Sequence, residues 1–344
     1  MTVNDRMTAT IRYDYNLYVF PEPTRIGFLR NMALVQVFAN GNWANIIRTV
    51  DDVIVTEPIH SDDIRPGVLA GKRVEITLKT DRDIRLVGGL YELTDQARRN
   101  VVVKNNFHVV VLSGSGRSPE QYCKDIIRGY SDPKFRPYVK SILLIDYRGF
   151  GCSRHPQGPN PDNNYVPHID YKPSSRGLYT DALAAINFLC AQHRVSLQNI
   201  ILHGYSIGSG PAVHMAATLQ GLGGLVLHSP IRSTFRQAKM KYQSNSAVLD
   251  WAAGAVGHHS AGFDNIKKIG RVNCPIYITC GPEDDMQRDA LELNEEATKK
   301  KRKVEYVEHF GAHDNTSAPF WVDGLDAFLG KCSQLGERER KGRA

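Results

Sequence analysis

The 344-residue chain contains no apolar run long enough to cross a bilayer, which takes about 18 to 20 residues. Its first residues, Met-Thr-Val-Asn-Asp-Arg, carry no apolar signal-peptide core, and Thr2 stands where N-myristoylation requires glycine. No glycine-rich dinucleotide motif and no internal repeat is visible. We therefore expect a cytoplasmic protein that neither spans a membrane nor uses a dinucleotide.

Cysteine is scarce and scattered in this chain. The cysteines form no C-x-x-C pair, so their spacing predicts neither a zinc site nor a disulfide framework. We expect reduced, buried thiols, no metal and no cofactor. The six cysteines are Cys123, Cys152, Cys190, Cys274, Cys280 and Cys332.

The net charge of +7 comes partly from two basic runs, at residues 299–303 and 338–343. The first run, Lys-Lys-Lys-Arg-Lys followed by Val304, is similar to a basic nuclear-localisation signal. It lies where a helix should end before a strand, however, and lysines there complement the helix dipole. We expect a solvated helix end. Peripheral contact with an anionic membrane and a nuclear adaptor role are the alternatives, and we expect no nucleic-acid partner.

Strand-like runs alternate with helix-like stretches in the second two thirds of the chain. Most of the runs are almost continuously apolar, as expected of strands that are buried on both faces. Between them, apolar residues recur at steps of three and four from Leu178 to Leu189, which predicts an amphipathic helix. The alternation predicts an α/β fold with a mostly parallel, doubly wound sheet. The runs are 107–112, 141–147, 200–203, 224–230, 275–281 and 304–308.

The remaining segments suggest how the chain is divided. Alternating patterns at 74–79 and 84–91 predict a hairpin at an antiparallel edge of the sheet. A stretch rich in Pro, Asn and Gly, 155–175, predicts a long loop. We divide the chain into an N-terminal extension (1–72) with a short apolar helix (26–39), a catalytic domain (73–332) with a small helical cap (233–263), and a basic tail (333–344).

The most informative motif is Gly204-Tyr205-Ser206-Ile207-Gly208, between an apolar strand and a predicted helix. A serine on a sharp strand-to-helix turn adopts strained backbone geometry, and a Cβ two positions before or after it would clash across the turn. The helix N-terminus beyond the turn favours a developing negative charge. Ser206 is therefore a candidate nucleophile.

A serine hydroxyl needs a histidine to take its proton and a carboxylate to orient that histidine. In this architecture the chain order is serine, acid, histidine. Asp284 and His313 follow two later strands in that order, each in a glycine-led turn. The alternatives are Glu283 or Asp285 as the acid and His309 as the base, whereas His203 is interpreted as a packed strand residue.

An oxyanion hole requires two backbone N–H donors. One should be the N–H of Ile207, directly after the nucleophile. The other should come from the glycine-rich turn at 113–116, where Ser115 is the candidate.

The chain resembles the α/β-hydrolase-fold serine hydrolases, and in particular the branch of α/β-hydrolase-domain proteins that includes palmitoyl-protein thioesterases. The resemblance spans about residues 74–329 and implies that Ser206, Asp284 and His313 form the catalytic triad. The chain departs from the family at Ser113, where a histidine is usual, and at the residues after the acid; it also lacks an N-terminal cysteine cluster. The motifs lie at 80–91, 146–151, 204–211, 227–230, 263–275 and 281–284.

These features together predict a serine hydrolase that cleaves an ester or thioester of a small-molecule or protein-linked acyl group. A serine peptidase of the same fold is the enzymatic alternative, because ester and amide cleavage share this machinery. A hydrolase scaffold that binds a ligand without catalysis is the second alternative.

Overall fold

The structure is a computed structural model that describes residues 7–12, 68–79, 84–114, 119–150, 153, 175–234, 236, 263–309, 311, 313, 321–322 and 324–341. Several predicted features lie outside these residues. They are the apolar helix at 26–39, nearly all of the loop at 155–175, the oxyanion candidate Ser115 and all but the ends of the cap segment.

The described residues form a nine-stranded sheet in the order β1-β2-β3-β5-β4-β6-β7-β8-β9. Strands β4 to β9 run parallel to one another, and β3 pairs antiparallel with both β2 and β5. This mostly parallel sheet confirms the predicted fold class. The strands are β1 (Met7–Arg12), β2 (Leu69–Lys79), β3 (Ile84–Leu93), β4 (Phe107–Leu112), β5 (Val139–Ile145), β6 (Ile200–Tyr205), β7 (Gly224–His228), β8 (Ile276–Cys280) and β9 (Val304–Glu308).

The predicted hairpin of β2 and β3 is present, but its prediction as an edge of the sheet is wrong. Strand β1 pairs parallel to β2 on the outer side, with Met7 opposite Val74 and Arg12 opposite Lys79. Three of the six residues of β1 are β-branched, two Thr and one Ile, a composition that favours a strand. So short a run is a weak signal, and its partner lies more than 60 residues further along the chain.

Seven helices of the described residues cover the two faces of the sheet. They are α1 (Asp95–Arg98), α2 (Pro119–Tyr130), α3 (Ser175–Gln192), α4 (Ser209–Thr218), α5 (Asn265–Lys268), α6 (Gln287–Lys299) and α7 (Leu325–Lys341). Apolar residues of α3, α4 and α6 share one core with the sheet, and those of α2 and α7 share a second core. Strands β4, β6, β7 and β8 are buried along their whole length, which confirms the interpretation of the apolar runs.

Helix α7 continues through the predicted boundary at residue 333, so most of the basic tail belongs to this helix. Among the helices that the structure describes, none has both the length and the apolar composition needed to cross a bilayer.

The basic run at 299–303 forms the C-terminal cap of α6. Lys301 has a φ of 56°, its N–H donates to the carbonyl of Thr298, and the N–H of Arg302 donates to the carbonyl of Ala297. These two hydrogen bonds, together with the left-handed conformation of Lys301, form a Schellman motif. The run is therefore folded backbone that joins α6 to β9, and recognition of it as an extended basic peptide would require this cap to open.

We expect Lys301→Gly to stabilise the protein by about 0.5–1 kcal/mol, because glycine adopts a positive φ without the Cβ clash that lysine suffers. Urea unfolding monitored by circular dichroism measures the change. Lys301→Ala is the matched control, since it removes the same charge and keeps the Cβ. Equal stability of the glycine and alanine variants would contradict the prediction.

Candidate active site

Ser206 lies on a sharp turn between β6 and α4. Its φ of 51° is in the left-handed region, which costs a residue with a Cβ about 1–2 kcal/mol. The two glycines of the motif are needed for close packing. A Cβ on Gly204 would lie 2.7 Å from the Cβ of Ala212, and one on Gly208 would collide with the carbonyl of Leu112. The turn therefore has the strained geometry that the motif predicts.

The structure brings Ser206, His313 and Asp284 into one hydrogen-bonded line. Nε2 of His313 lies 3.0 Å from Oγ of Ser206, and Nδ1 lies 3.0 Å from Oδ1 of Asp284. The hydrogen positions follow from the carboxylate, which can only accept: Nδ1 carries the hydrogen, and Nε2 is left to accept one from the serine. These residues come from three separate strand ends, after β6, β8 and β9.

Burial distinguishes Asp284 from its acidic neighbours. Glu283 and Asp285 are exposed, whereas the side chain of Asp284 is fully buried. Burial alone would raise the pKa of Asp284, but hydrogen bonds from the His313 ring and the backbone N–H of Met286 outweigh it and lower the pKa below its ordinary value. Asp284 is therefore held ionised beside the imidazole.

The other histidines considered from the sequence, His203 and His309, are both buried. Nδ1 of His203 is 2.9 Å from the hydroxyl of Tyr130, and burial lowers the pKa of His203 to about 3. His309 is buried with its ring 5.1 Å from the ring of His228. Burial also lowers the pKa of His228 well below its ordinary value. These three imidazoles are packed in the core, and His313 contacts both Ser206 and Asp284.

The turn after β4 lies beside the nucleophile. A Cβ on Gly114 would be 2.8 Å from the ring of Tyr205 and 3.2 Å from the Cβ of Ser206. Ile207, the predicted oxyanion donor, is half-buried in the 3-10 turn Ser206–Gly208 that precedes α4. Ser115 follows Gly114 and lies outside the described residues, so its role stays a prediction.

Ser209 supports the serine turn, a role that no motif in the sequence indicates. Its hydroxyl donates to the backbone carbonyl of Ser206 at 2.6 Å. The same oxygen accepts from the N–H of Ile231 at 3.1 Å and faces the amide nitrogen of Asn265 at 3.3 Å. A small hydroxyl residue in a helical motif gives little sequence signal, because its partners lie 22 and 56 residues away.

The ends of the predicted cap segment meet near this support. The N–H of Thr234 donates to the carbonyl of Phe263 at 3.0 Å, and the N–H of Phe263 donates to Oγ1 of Thr234 at 2.6 Å. Arg236 then binds two acids of α6, Asp289 at 2.9 Å and Glu292 at 2.7 Å. The described ends of the segment, at 233–236 and at 263, are therefore held together and anchored to α6.

The turn after β5 is fixed by a buried ion pair. Nη2 of Arg148 lies 2.6 Å from Oδ1 of Asp181, and the backbone N–H of Arg148 donates to Oδ2 at 2.9 Å. Asp181 is fully buried in α3. The glycine-bearing turn at 148–150 is thus tied to the helix that packs on the sheet.

Four cysteines of the described residues are free thiols. Cys274, Cys280 and Cys332 are buried and Cys190 is half-buried. Burial raises the pKa of Cys274 to about 12. Within the described part of the chain, no group of three His, Cys, Asp or Glu side chains is arranged to hold a metal ion.

The mostly parallel sheet, with a serine turn between β6 and its following helix, is the α/β-hydrolase fold. A sequence model of the alpha/beta hydrolase fold matches residues 108–254. An alpha-beta hydrolase from Vibrio vulnificus superposes with a TM-score of 0.56 at 19% identity, covering 96% of this chain and 95% of the other. The fold anticipated from the sequence motifs is confirmed.

The curated relatives carry the name of the same fold. The chain is 32% identical over 146 residues to the alpha/beta hydrolase domain-containing protein aho-3 of Caenorhabditis elegans, and the match covers 42% of this chain and 35% of that protein. It is 31% identical over 146 residues to the human alpha/beta hydrolase domain-containing protein 17C, with 42% and 36% covered. The matches thus span little more than a third of the relatives' own length.

Proposed function

We propose that the protein is a serine hydrolase that cleaves a carboxylic ester or thioester of an acyl substrate through Ser206, His313 and Asp284. The observation that carries the proposal is the pair of 3.0 Å hydrogen bonds that joins these three side chains. The left-handed backbone of Ser206 and the buried, ionised Asp284 support it. The similarity to alpha/beta hydrolase domain-containing proteins is in agreement with it.

In this mechanism Oγ of Ser206 attacks the acyl carbonyl carbon while Nε2 of His313 takes the hydroxyl proton. Asp284 orients the imidazole and stabilises its positive charge. The oxyanion accepts hydrogen bonds from the N–H of Ile207 and from a backbone N–H of the turn after Gly114. The protonated His313 then gives its proton to the leaving alcohol or thiol, which departs and leaves an acyl group on Ser206.

The second half of the cycle repeats these roles with water. His313 takes a proton from water as the water oxygen attacks the acyl carbon. The intermediate then breaks its bond to Oγ, His313 returns the proton to Oγ, and the acid is released with Ser206 restored. All of the groups that this chemistry requires are side chains or backbone N–H groups of the chain itself.

A fluorophosphonate probe tests the proposal directly, because it phosphonylates only a serine that has been activated by a neighbouring base. We expect stoichiometric labelling of the full-length protein and none of Ser206→Ala. Folded wild-type protein that does not react with the probe would contradict the proposal. Hydrolysis rates of a p-nitrophenyl ester, an acyl-CoA and a p-nitroanilide then rank ester, thioester and amide cleavage, and a preference for the anilide would favour a peptidase.

A further inference from the structure

Tyr205, the residue before the nucleophile, connects the loops of the candidate active site. Its hydroxyl donates a 2.6 Å hydrogen bond to the backbone carbonyl of His313, which is 108 residues away in the chain. Its ring stacks on the imidazole of His313, with centroids 5.5 Å apart and planes inclined by 24°. Gly114 packs on the ring of Tyr205, where a Cβ would be 2.8 Å from the nearest ring carbon.

These contacts determine the position of His313 from its backbone side. The bonds of the imidazole to Asp284 and Ser206 orient the ring, but neither of them holds the main chain of the loop that carries it. The hydrogen bond from Tyr205 does hold it. Because Tyr205 is joined to Ser206 by a peptide bond, this one contact relates the backbone of the nucleophile to the backbone of the base.

The surroundings of Tyr205 favour a fixed side chain. The residue is 1% exposed, and its ring also meets the ring of His228 at 5.0 Å, with planes inclined by 67°. A buried aromatic ring that is held on several sides has little rotamer freedom. The hydroxyl therefore has a defined direction, which a positioning contact requires.

We infer that Tyr205 is a positioning residue for His313: its hydroxyl and ring hold the imidazole so that Nε2 stays aligned with Oγ of Ser206. The inference rests on the proposed function, since alignment matters only if His313 acts as the base. It assigns a role to a position of the motif that the sequence pattern leaves unspecified.

The test compares two buried tyrosine hydroxyls, one at the candidate active site and one in the core. Tyr205→Phe removes the bond to His313. Tyr130→Phe is the matched control, because Tyr130 is also fully buried and its hydroxyl bonds the core residue His203 at 2.9 Å. The readout is the rate constant for fluorophosphonate labelling of the full-length proteins with the probe in excess. An inactive fraction that does not refold during the reaction lowers the amplitude of labelling and leaves its rate constant unchanged.

We expect labelling of Tyr205→Phe to slow by about 10- to 100-fold, since a displacement of about 1 Å in a catalytic group can cost this much. Tyr130→Phe should label at the wild-type rate, although both variants lose a buried hydrogen bond. With a p-nitrophenyl ester, kcat of Tyr205→Phe should fall by a similar factor while KM stays within about twofold, as expected when only transition-state interactions are lost.

Equal labelling rates for wild type, Tyr205→Phe and Tyr130→Phe would overturn the positioning role and leave the proposed function intact. Equal slowing of both variants would also overturn it, because a general loss of rigidity would then explain the effect. Failure of the wild-type protein itself to label would refute the proposed function, and the inference with it.

Discussion

Turnover of an acyl ester should fall by about 10⁴- to 10⁶-fold when Ser206 is replaced by alanine, as in triad hydrolases that lose their nucleophile. Alanine removes Oγ and with it the 3.0 Å bond to His313, so no covalent acyl intermediate can form. Steady-state hydrolysis of a p-nitrophenyl ester measures the loss. Ser131→Ala is a suitable control, because that buried hydroxyl bonds the carbonyl of Arg128, outside the proposed machinery.

The backbone of Ser206 supplies an independent check that the protein remains folded. Its φ of 51° is strained for serine and alanine and is unstrained for glycine. Ser206→Gly lacks Oγ and should be inactive. Because it relieves the backbone strain, its free energy of unfolding should exceed that of Ser206→Ala by about 1 kcal/mol, as measured by urea unfolding. A residue that costs stability and is essential for turnover is typical of a functional site. Residual turnover of either variant above about 10% would refute the nucleophile assignment.

Replacement of Asp284 by asparagine should lower kcat by about 10⁴-fold, because an amide favours the wrong imidazole tautomer and cannot stabilise the imidazolium. The flanking acids make a matched set of controls. Glu283→Gln and Asp285→Asn also remove one negative charge, but both side chains are exposed and should change kcat by less than about twofold. A large loss in either control together with a small loss in Asp284→Asn would move the acid role to the neighbour.

Asp284 should also contribute to the dependence of stability on pH. Its pKa is lowered in the folded protein, so the unfolded chain takes up the proton first as the pH falls. The stabilising contribution is therefore present above about pH 4, the ordinary range of an aspartate, and is lost as the pH falls through the folded pKa. The stability difference between wild type and Asp284→Asn should accordingly shrink in acid, which urea unfolding at pH 7 and below pH 4 would measure.

Much of the fold could be predicted from the sequence, because its strands are local and strongly patterned. The apolar runs of β4 and β6 to β8 are buried along their whole length, and such strands show themselves as continuous hydrophobic segments. Strand β1 could not be predicted in the same way. It is six residues long, and what makes it a strand is its pairing with β2.

The basic run shows how one local pattern can fit two interpretations. Its composition agrees both with a transport signal and with a helix end. The position of the run directly before a strand favours a helix end. The structure shows the cap itself, with a left-handed Lys301 and two capping hydrogen bonds. The charged residues can be seen in the sequence, whereas their backbone conformation depends on the fold.

The sequence by itself determined the order of the candidate catalytic residues along the chain: a serine in a G-x-S-x-G motif, then an acid, then a histidine, each after a strand. It did so because turn glycines and apolar strands are properties of a few neighbouring residues. Only the tertiary structure decided which acid is buried, that Ser209 supports the serine turn, and that Tyr205 reaches His313 across 108 residues. Those contacts join residues that are distant in the chain, and they exist only once the whole sheet and its helices have packed.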